Sequence, residues 1–209
     1  MFATRIHGLG GQGVLAAAEM LAVAAFSQGG YAQAFPSFGP ERAGVPVAAF
    51  CRVDDEPIRR REPVLHPDAL IVQDPRLLHQ VDVFEGMRSD GYVLVNSSHD
   101  VDELGLDDLA VHHGLLAVRL QTVPATEIAR RTLGHLLPNT ALLGAFAALT
   151  GTVTLDGVET AILERFGGQF AEDNVEAART AYGFVRYALG DRLSGTARAS
   201  HDREMPEEI

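Results

Sequence analysis

The run Gly8-Leu9-Gly10-Gly11-Gln12-Gly13 has the residue types and spacing of a turn that can hold an anion. It fits G-x-G-x-x-G and lies between a short strand-like run, Ala3 to His7, and an apolar stretch rich in Ala and Leu, Gln12 to Gln28. Glycines permit a tight turn and close approach of backbone to ligand, and the following helix presents unpaired N–H groups and the positive end of its dipole. A phosphate or diphosphate suits such a turn. The same glycines equally permit close strand-to-helix packing with no ligand. In a dinucleotide-binding fold an acid about 20 residues on, at the end of the second strand, binds the ribose. The strand in that place, Tyr31-Ala32-Gln33-Ala34-Phe35-Pro36, carries no acid, and Glu41 is the nearest one downstream. The ligand expected is therefore a phosphate-bearing molecule other than NAD, with an NAD(P)-binding oxidoreductase as the alternative.

Other candidate residues have bland readings beside the functional ones. His112 and His113 are adjacent, and on a strand they would point to opposite faces, a poor geometry for a metal. His99 and Asp100 fit a turn capped by Ser97, Ser98 and Asp100. His7 precedes the glycines and reads as a packed strand-end histidine that could touch a ligand. Asn139, after Pro138 and before an apolar helix, reads as a helix cap or as a contact to a neighbour or cofactor. Arg59-Arg60-Arg61 reads as a solvated loop or as a dock for an acidic partner.

The elements that must position these residues can be read from periodicity. Ala69 to Val72, Tyr92 to Val95 and Leu115 to Leu120 are continuous apolar runs of the kind found in strands covered on both faces, and Val45 to Val53 is a further strand. Helices are expected near Thr126 to Leu133, Thr140 to Thr150, Leu155 to Phe166 and Phe170 to Ala188. The fold class is thus α/β, a Rossmann-like, doubly wound, mainly parallel sheet with a helical C-terminal region. One domain over residues 1–190 is expected from 209 residues and 46% hydrophobic content, followed by a polar tail over 191–209.

Composition excludes several functions. The single cysteine, Cys51, cannot hold an iron-sulfur cluster or a Cys-rich zinc site and reads as a buried thiol. A net charge of -11 opposes nucleic-acid binding. All 17 basic residues are arginine, so no Schiff-base or P-loop lysine exists. No apolar run reaches the roughly 20 residues of a membrane helix, and no secretory signal opens the chain, so a cytoplasmic location is expected.

Three segments in this order resemble the gamma component of the 2-oxoacid:acceptor oxidoreductases of the pyruvate:ferredoxin type: Arg5 to Gly13, Phe35-Pro36-Ser37-Phe38-Gly39-Pro40-Glu41-Arg42, and Pro138-Asn139-Thr140-Ala141-Leu142-Leu143-Gly144-Ala145-Phe146. The resemblance spans roughly residues 3 to 190. It implies a non-autonomous subunit of an enzyme that converts a 2-oxoacid, coenzyme A and an oxidised acceptor into acyl-CoA, CO2 and reduced acceptor. It also implies alpha, beta and delta-type partner subunits, which hold thiamine diphosphate, magnesium and iron-sulfur clusters and reduce ferredoxin or another acceptor. This chain would hold no cofactor alone and contribute no catalytic residue. Gly8, Gly10, Gly11, Gln12 and Gly13 would help to form the coenzyme A site, with Arg42 pairing with a phosphate or a partner carboxylate. The family loop often carries a second arginine and paired glycines after the position of Arg42, where this chain has Ala43 and Val45, so the loop is expected to act chiefly as a rigid interface element. A purely structural subunit is the remaining alternative.

Overall fold

A computed structural model of the chain describes residues 1–37, 43–60 and 62–203, with side chains through 190 apart from residue 118. Six strands form one sheet: β1 (Phe2–Leu9), β2 (Tyr31–Pro36), β3 (Pro46–Asp54), β4 (Ala69–Val72), β5 (Tyr92–Asn96) and β6 (Leu120–Val123). The order across it is β2-β3-β1-β4-β5-β6. β1, β4, β5 and β6 run parallel, whereas β3 is antiparallel to both β1 and β2. The sheet is mixed and mostly parallel.

The helices are α1 (Val14–Ser27), α2 (Leu106–His113), α3 (Ala125–Leu133), α4 (Asn139–Thr150), α5 (Leu155–Arg165) and α6 (Gly168–Arg203). Ile6, Ile71, Leu94 and Val123 turn one sheet face toward α1 and α3 to α6. Leu70, Val72, Val93 and Val95 turn the other toward Leu77, Phe84, Leu106 and Ala110, from a three-ten turn (Pro75–His79), the following loop and α2. Strands buried on both faces explain the unbroken apolar runs in β4 and β5. α4 is apolar all round and buried from Asn139 to Leu149, so it forms the centre of the helical layer.

Two sequence readings need correction. Leu115 to Leu120 is not a strand: Ala117–Arg119 is a three-ten turn, and β6 begins only at Leu120. His112 and His113 are not on a strand but in the last turn of α2, where cationic or polar side chains suit the helix C-terminus, and the His113 ring stacks on Phe84 at 5.1 Å. The other expected helices and strands are present with small shifts at their ends, except that the last helix, expected to stop at Ala188, runs on to Arg203 and so takes in the first part of the expected tail. The polar tail expected from 191 falls on residues whose side chains lie outside the described set.

Short connections rely on named caps. Thr154 Oγ1 accepts the Gly157 N–H at 3.1 Å and starts α5, and Gly157 lies so close to α1 that an added Cβ would stand 2.8 Å from the Ala24 carbonyl oxygen. Thr154→Ala is expected to cost about 1 kcal/mol in urea unfolding, the usual cost of a lost N-cap.

Candidate functional site

The C-terminal ends of β1, β4 and β5 meet the N-termini of α1 and α4 at one edge of the sheet. After β1 the chain turns through Gly11 (φ 92°) and Gly13 (φ 69°), both in the left-handed region that favours glycine. Gly13 starts α1, and its own Cβ would stand 2.6 Å from Asn139 Nδ2. At Gly8 a Cβ would meet Val14 Cγ2 at 2.6 Å and Gln73 Oε1 at 2.8 Å. Two of the glycines are thus required by packing, whereas Gly11 faces open space and is exposed.

The first and third of the segments that carry the family resemblance converge here, and residues just past the second join them. The Gly10 N–H donates to the Val45 carbonyl at 2.9 Å and the Gly44 N–H to the Gly10 carbonyl at 3.0 Å, so the exit of the second segment's loop is stitched to the turn. Asn139, from the third segment, donates from Nδ2 to the Gly13 carbonyl at 3.1 Å. Its Oδ1 accepts from Gln73 Nε2 at 2.9 Å. Asn139 is therefore not a side-chain helix cap but a buried bridge between α1, α4 and β4, because both ends of its amide are taken by partners outside its own helix.

Gln12 is equally committed. Its Oε1 accepts the Leu9 N–H at 2.7 Å, and its Nε2 donates to Asp74 Oδ2 at 3.1 Å. Asp74 also accepts from Arg76, whose hydrogen bonds hold its carboxyl below the usual range against the opposing pull of burial, with help from Gln12. Asn96, at the end of β5, donates to the Gln73 carbonyl and to Thr126 Oγ1, each at 2.8 Å. His7 is half-buried at the end of β1, on the sheet face it shares with Arg5, with its Nε2 enclosed; burial, reinforced by nearby Arg5, lowers its pKa to about 4, so the ring is neutral near pH 7. Arg5 donates to the Val83 and Glu85 carbonyls and anchors that loop to the sheet.

Within the glycine-rich turn itself, what remains for a ligand is backbone. Among the described residues, no acceptor takes the N–H groups of Gly11, Gly13 and Val14, the orphan donors at the start of α1. The structure thus brings Gly8, Gly10, Gly11, Gln12 and Gly13 together, with the Gly10 N–H used internally and the Gln12 amide bracing the turn. Arg42 lies outside the described residues, as do Phe38, Pro40 and Glu41. Phe35 packs against Phe50 at 5.3 Å, with the Arg52 guanidinium 4.9 Å above its ring. Gln73, Asp74 and Asn96 were missed by sequence reasoning; their signal is a polar residue directly after a short apolar strand, the place where open α/β sheets bind ligands.

Elsewhere, Ser97 Oγ accepts the His99 N–H, and Asp100 and Glu103 each donate a backbone N–H to the other's carboxylate, in keeping with the turn read from the sequence. Burial pushes the Cys51 thiol up to about 12, so it is a poor metal ligand. Among the described residues, no three His, Cys, Asp or Glu side chains converge as a metal site, and no helix is long and apolar enough to cross a membrane.

The strand beside β1 bears on the nucleotide alternative. In a dinucleotide fold that neighbour is parallel and ends beside the glycine turn. Here it is antiparallel β3, whose C-terminal Asp54 pairs with Tyr31 at the opposite edge of the sheet. On the other side of β1, parallel β4 does end beside the turn, and the acid that follows it, Asp74, is taken up by Gln12 and Arg76.

Comparison with known proteins agrees with the convergence of these segments. The family model described as pyruvate ferredoxin/flavodoxin oxidoreductase matches residues 3–184. The chain is 49% identical over 182 residues to pyruvate synthase subunit PorC of Methanothermobacter thermautotrophicus, covering 87% of this chain and 94% of that one. It is 48% identical over 182 residues to the common gamma subunit of the pyruvate/ketoisovalerate oxidoreductases of Pyrococcus abyssi, covering 87% and 96%. The crystal structure of pyruvate oxidoreductase subunit PORC from Thermotoga maritima superposes with a TM-score of 0.74 at 35% identity, over 87% of this chain and 95% of that one. Sequence, fold and site agree, and the chain belongs to the pyruvate ferredoxin/flavodoxin oxidoreductase family as a gamma-type subunit.

Proposed function

We propose that this subunit works in the cytoplasm within a complex of alpha, beta and delta-type partners, and that its glycine-rich turn forms part of the coenzyme A site. The overall reaction would be oxidation of a 2-oxoacid with coenzyme A to acyl-CoA and CO2, with thiamine diphosphate, magnesium and iron-sulfur clusters on the partners. The observation that carries the reading is the set of unpaired N–H groups of Gly11, Gly13 and Val14 at the start of α1, on a turn braced by Gln12 and Asn139. Such donors suit a phosphate group and cost no rearrangement when it arrives. Coenzyme A, when bound, supplies the thiol that accepts the acyl group. The residues of this chain would bind and orient its phosphorylated end.

The Pyrococcus relative is named as common to pyruvate and ketoisovalerate oxidoreductases. By analogy, this chain would not read the side chain of the 2-oxoacid, which fits a role on the coenzyme side. Gly11 gives a clean test because, among the described residues, no atom comes within 4 Å of an added Cβ there. Gly11→Asp and Gly11→Asn share the backbone strain of a positive φ and differ in charge. In the assembled enzyme the Asp variant is expected to raise the KM for coenzyme A about tenfold over the Asn variant, through repulsion of phosphate. Equal KM values in the two would leave the purely structural subunit as the better reading.

A further inference from the structure

Arg76 stands beside the same turn, outside the glycine motif. Its Nε donates to Asp74 Oδ1 at 2.9 Å, its Nη2 to Oδ2 at 2.6 Å, and its backbone N–H to Oδ1 at 3.1 Å. Asp74 is 6% exposed, while the Arg76 side chain is 68% exposed. Oδ2 of that buried carboxylate also receives Gln12 Nε2, so one group fixes both the glycine-rich turn and a solvent-facing guanidinium.

A buried carboxylate needs a counter-charge, and Arg76 meets that need. Two further observations go beyond it. The fork uses Nε and Nη2, so Nη1 lies on the far side of the guanidinium from Asp74, and among the described residues it has no acceptor. The preceding residue, Gln73, is 2% exposed; its Nε2 serves Asn139 and its Oε1 has no donor. That oxygen lies against Gly8, at the base of the turn. A buried acceptor without a partner is costly, and such groups mark places where water or a ligand's hydroxyl or amide donor completes the structure; a phosphate only accepts, so beside one this oxygen would be met through a bridging water or another part of the ligand.

We propose that Arg76 is a binding residue for a phosphate group of the ligand held at the glycine-rich turn, and that Asp74 is its positioning residue. This rests on the coenzyme A reading and deepens it. The α1 N–H groups take one side of the phosphorylated end and Arg76 Nη1 the other. Because Asp74 neutralises the formal charge of Arg76, the contribution is directional rather than a diffuse field, as suits a planar donor set.

The test uses the assembled enzyme, with coenzyme A and the 2-oxoacid varied separately. Arg76→Gln is expected to raise the KM for coenzyme A about tenfold and leave the KM for the 2-oxoacid unmoved. Arg76→Gln leaves Asp74 without its counter-charge, so the double variant Asp74→Asn with Arg76→Gln, which removes both charges together, is measured beside it and is expected to show the same rise. A KM for coenzyme A equal to that of the unmodified enzyme in the double variant overturns the assignment of Arg76. If Gly11→Asp raises that KM while the Arg76 variants do not, Arg76 is only a counter-ion and the turn keeps its role. If none of the variants moves it, the coenzyme A reading itself falls.

Discussion

Gly144→Ala is expected to lower the free energy of unfolding by about 3 kcal/mol, although the same exchange in an exposed helix gains up to about 1 kcal/mol. The sign changes because α4 and α6 cross at this glycine. A Cβ on Gly144 would stand 2.0 Å from the Ala178 carbonyl oxygen, 2.6 Å from its carbonyl carbon and 2.8 Å from its Cα. All three are backbone atoms, so no side-chain rotation relieves the contact. Ala177, Ala178 and Ala181 are buried on α6, and Leu142, Leu143 and Phe146 are buried on α4. The helices would have to separate and give up contacts on both sides of the crossing. For a chain of this size the loss corresponds to roughly 6–12 °C in Tm. Gly183 is the control: it lies in α6, exposed, and among the described residues no atom comes within 4 Å of an added Cβ. Gly183→Ala should hold or raise the Tm. A Gly144→Ala protein as stable as the parent would show that the crossing is not closed by this glycine.

The same glycine lies in the third of the segments that made the family legible, which shows what kind of information a sequence carries plainly. Gly8 and Gly13 could be read as packing glycines because a missing Cβ is visible in the sequence, whereas the steric reason for Gly144 shows only where α6 crosses it. The parallel strands β4 and β5 are read because burial on both faces leaves an unbroken apolar run. β6 hides because Gln121 and Thr122 are polar yet buried, with Gln121 Nε2 satisfied by the adjacent Thr122 carbonyl. The apolar run just before it, Leu115 to Leu120, therefore looks more like a strand than the strand does. Strand direction leaves no local mark either, and antiparallel β3 sits between β1 and β2 with nothing in Val45 to Val53 to announce it.

The polar half of the site was hidden for a different reason. Gln12 and Asp74 are 62 residues apart, Gln73 and Asn139 are 66 apart, and Asn139 and Gly13 are 126 apart. Each of these side chains has a plausible local use, such as a cap or a turn, and only the fold shows that another partner has taken it. The glycines therefore mark where the site is, while the side chains that hold it in shape appear only when three distant strand and helix ends are brought together.

His7 is expected to make the chain lose about 3 kcal/mol of stability between pH 6.5 and pH 4. In the folded protein, partial burial at the end of β1, together with nearby Arg5, moves the ring from 6.5 to about 4. Its buried Nε2 has no hydrogen-bond partner that would favour the charged form. Across that window the unfolded chain binds a proton that the folded chain refuses, so stability rises with pH and falls as pH falls. Above pH 6.5 the side chain contributes no slope, and below pH 4 both states are protonated and the loss is complete. Asp74 acts in a lower window: its carboxyl is held below 3.8, so its contribution is present above that value and is lost only as pH falls through its folded value. Urea unfolding at pH 7.0 and pH 4.5, for the parent chain and for His7→Gln, separates this residue from the others that titrate. The variant should lose much less stability than the parent on acidification. Equal losses would mean that His7 can take up its proton in place. The expected outcome instead describes a strand-end ring that stays neutral at the pH where the N–H groups of the neighbouring turn would meet an anion.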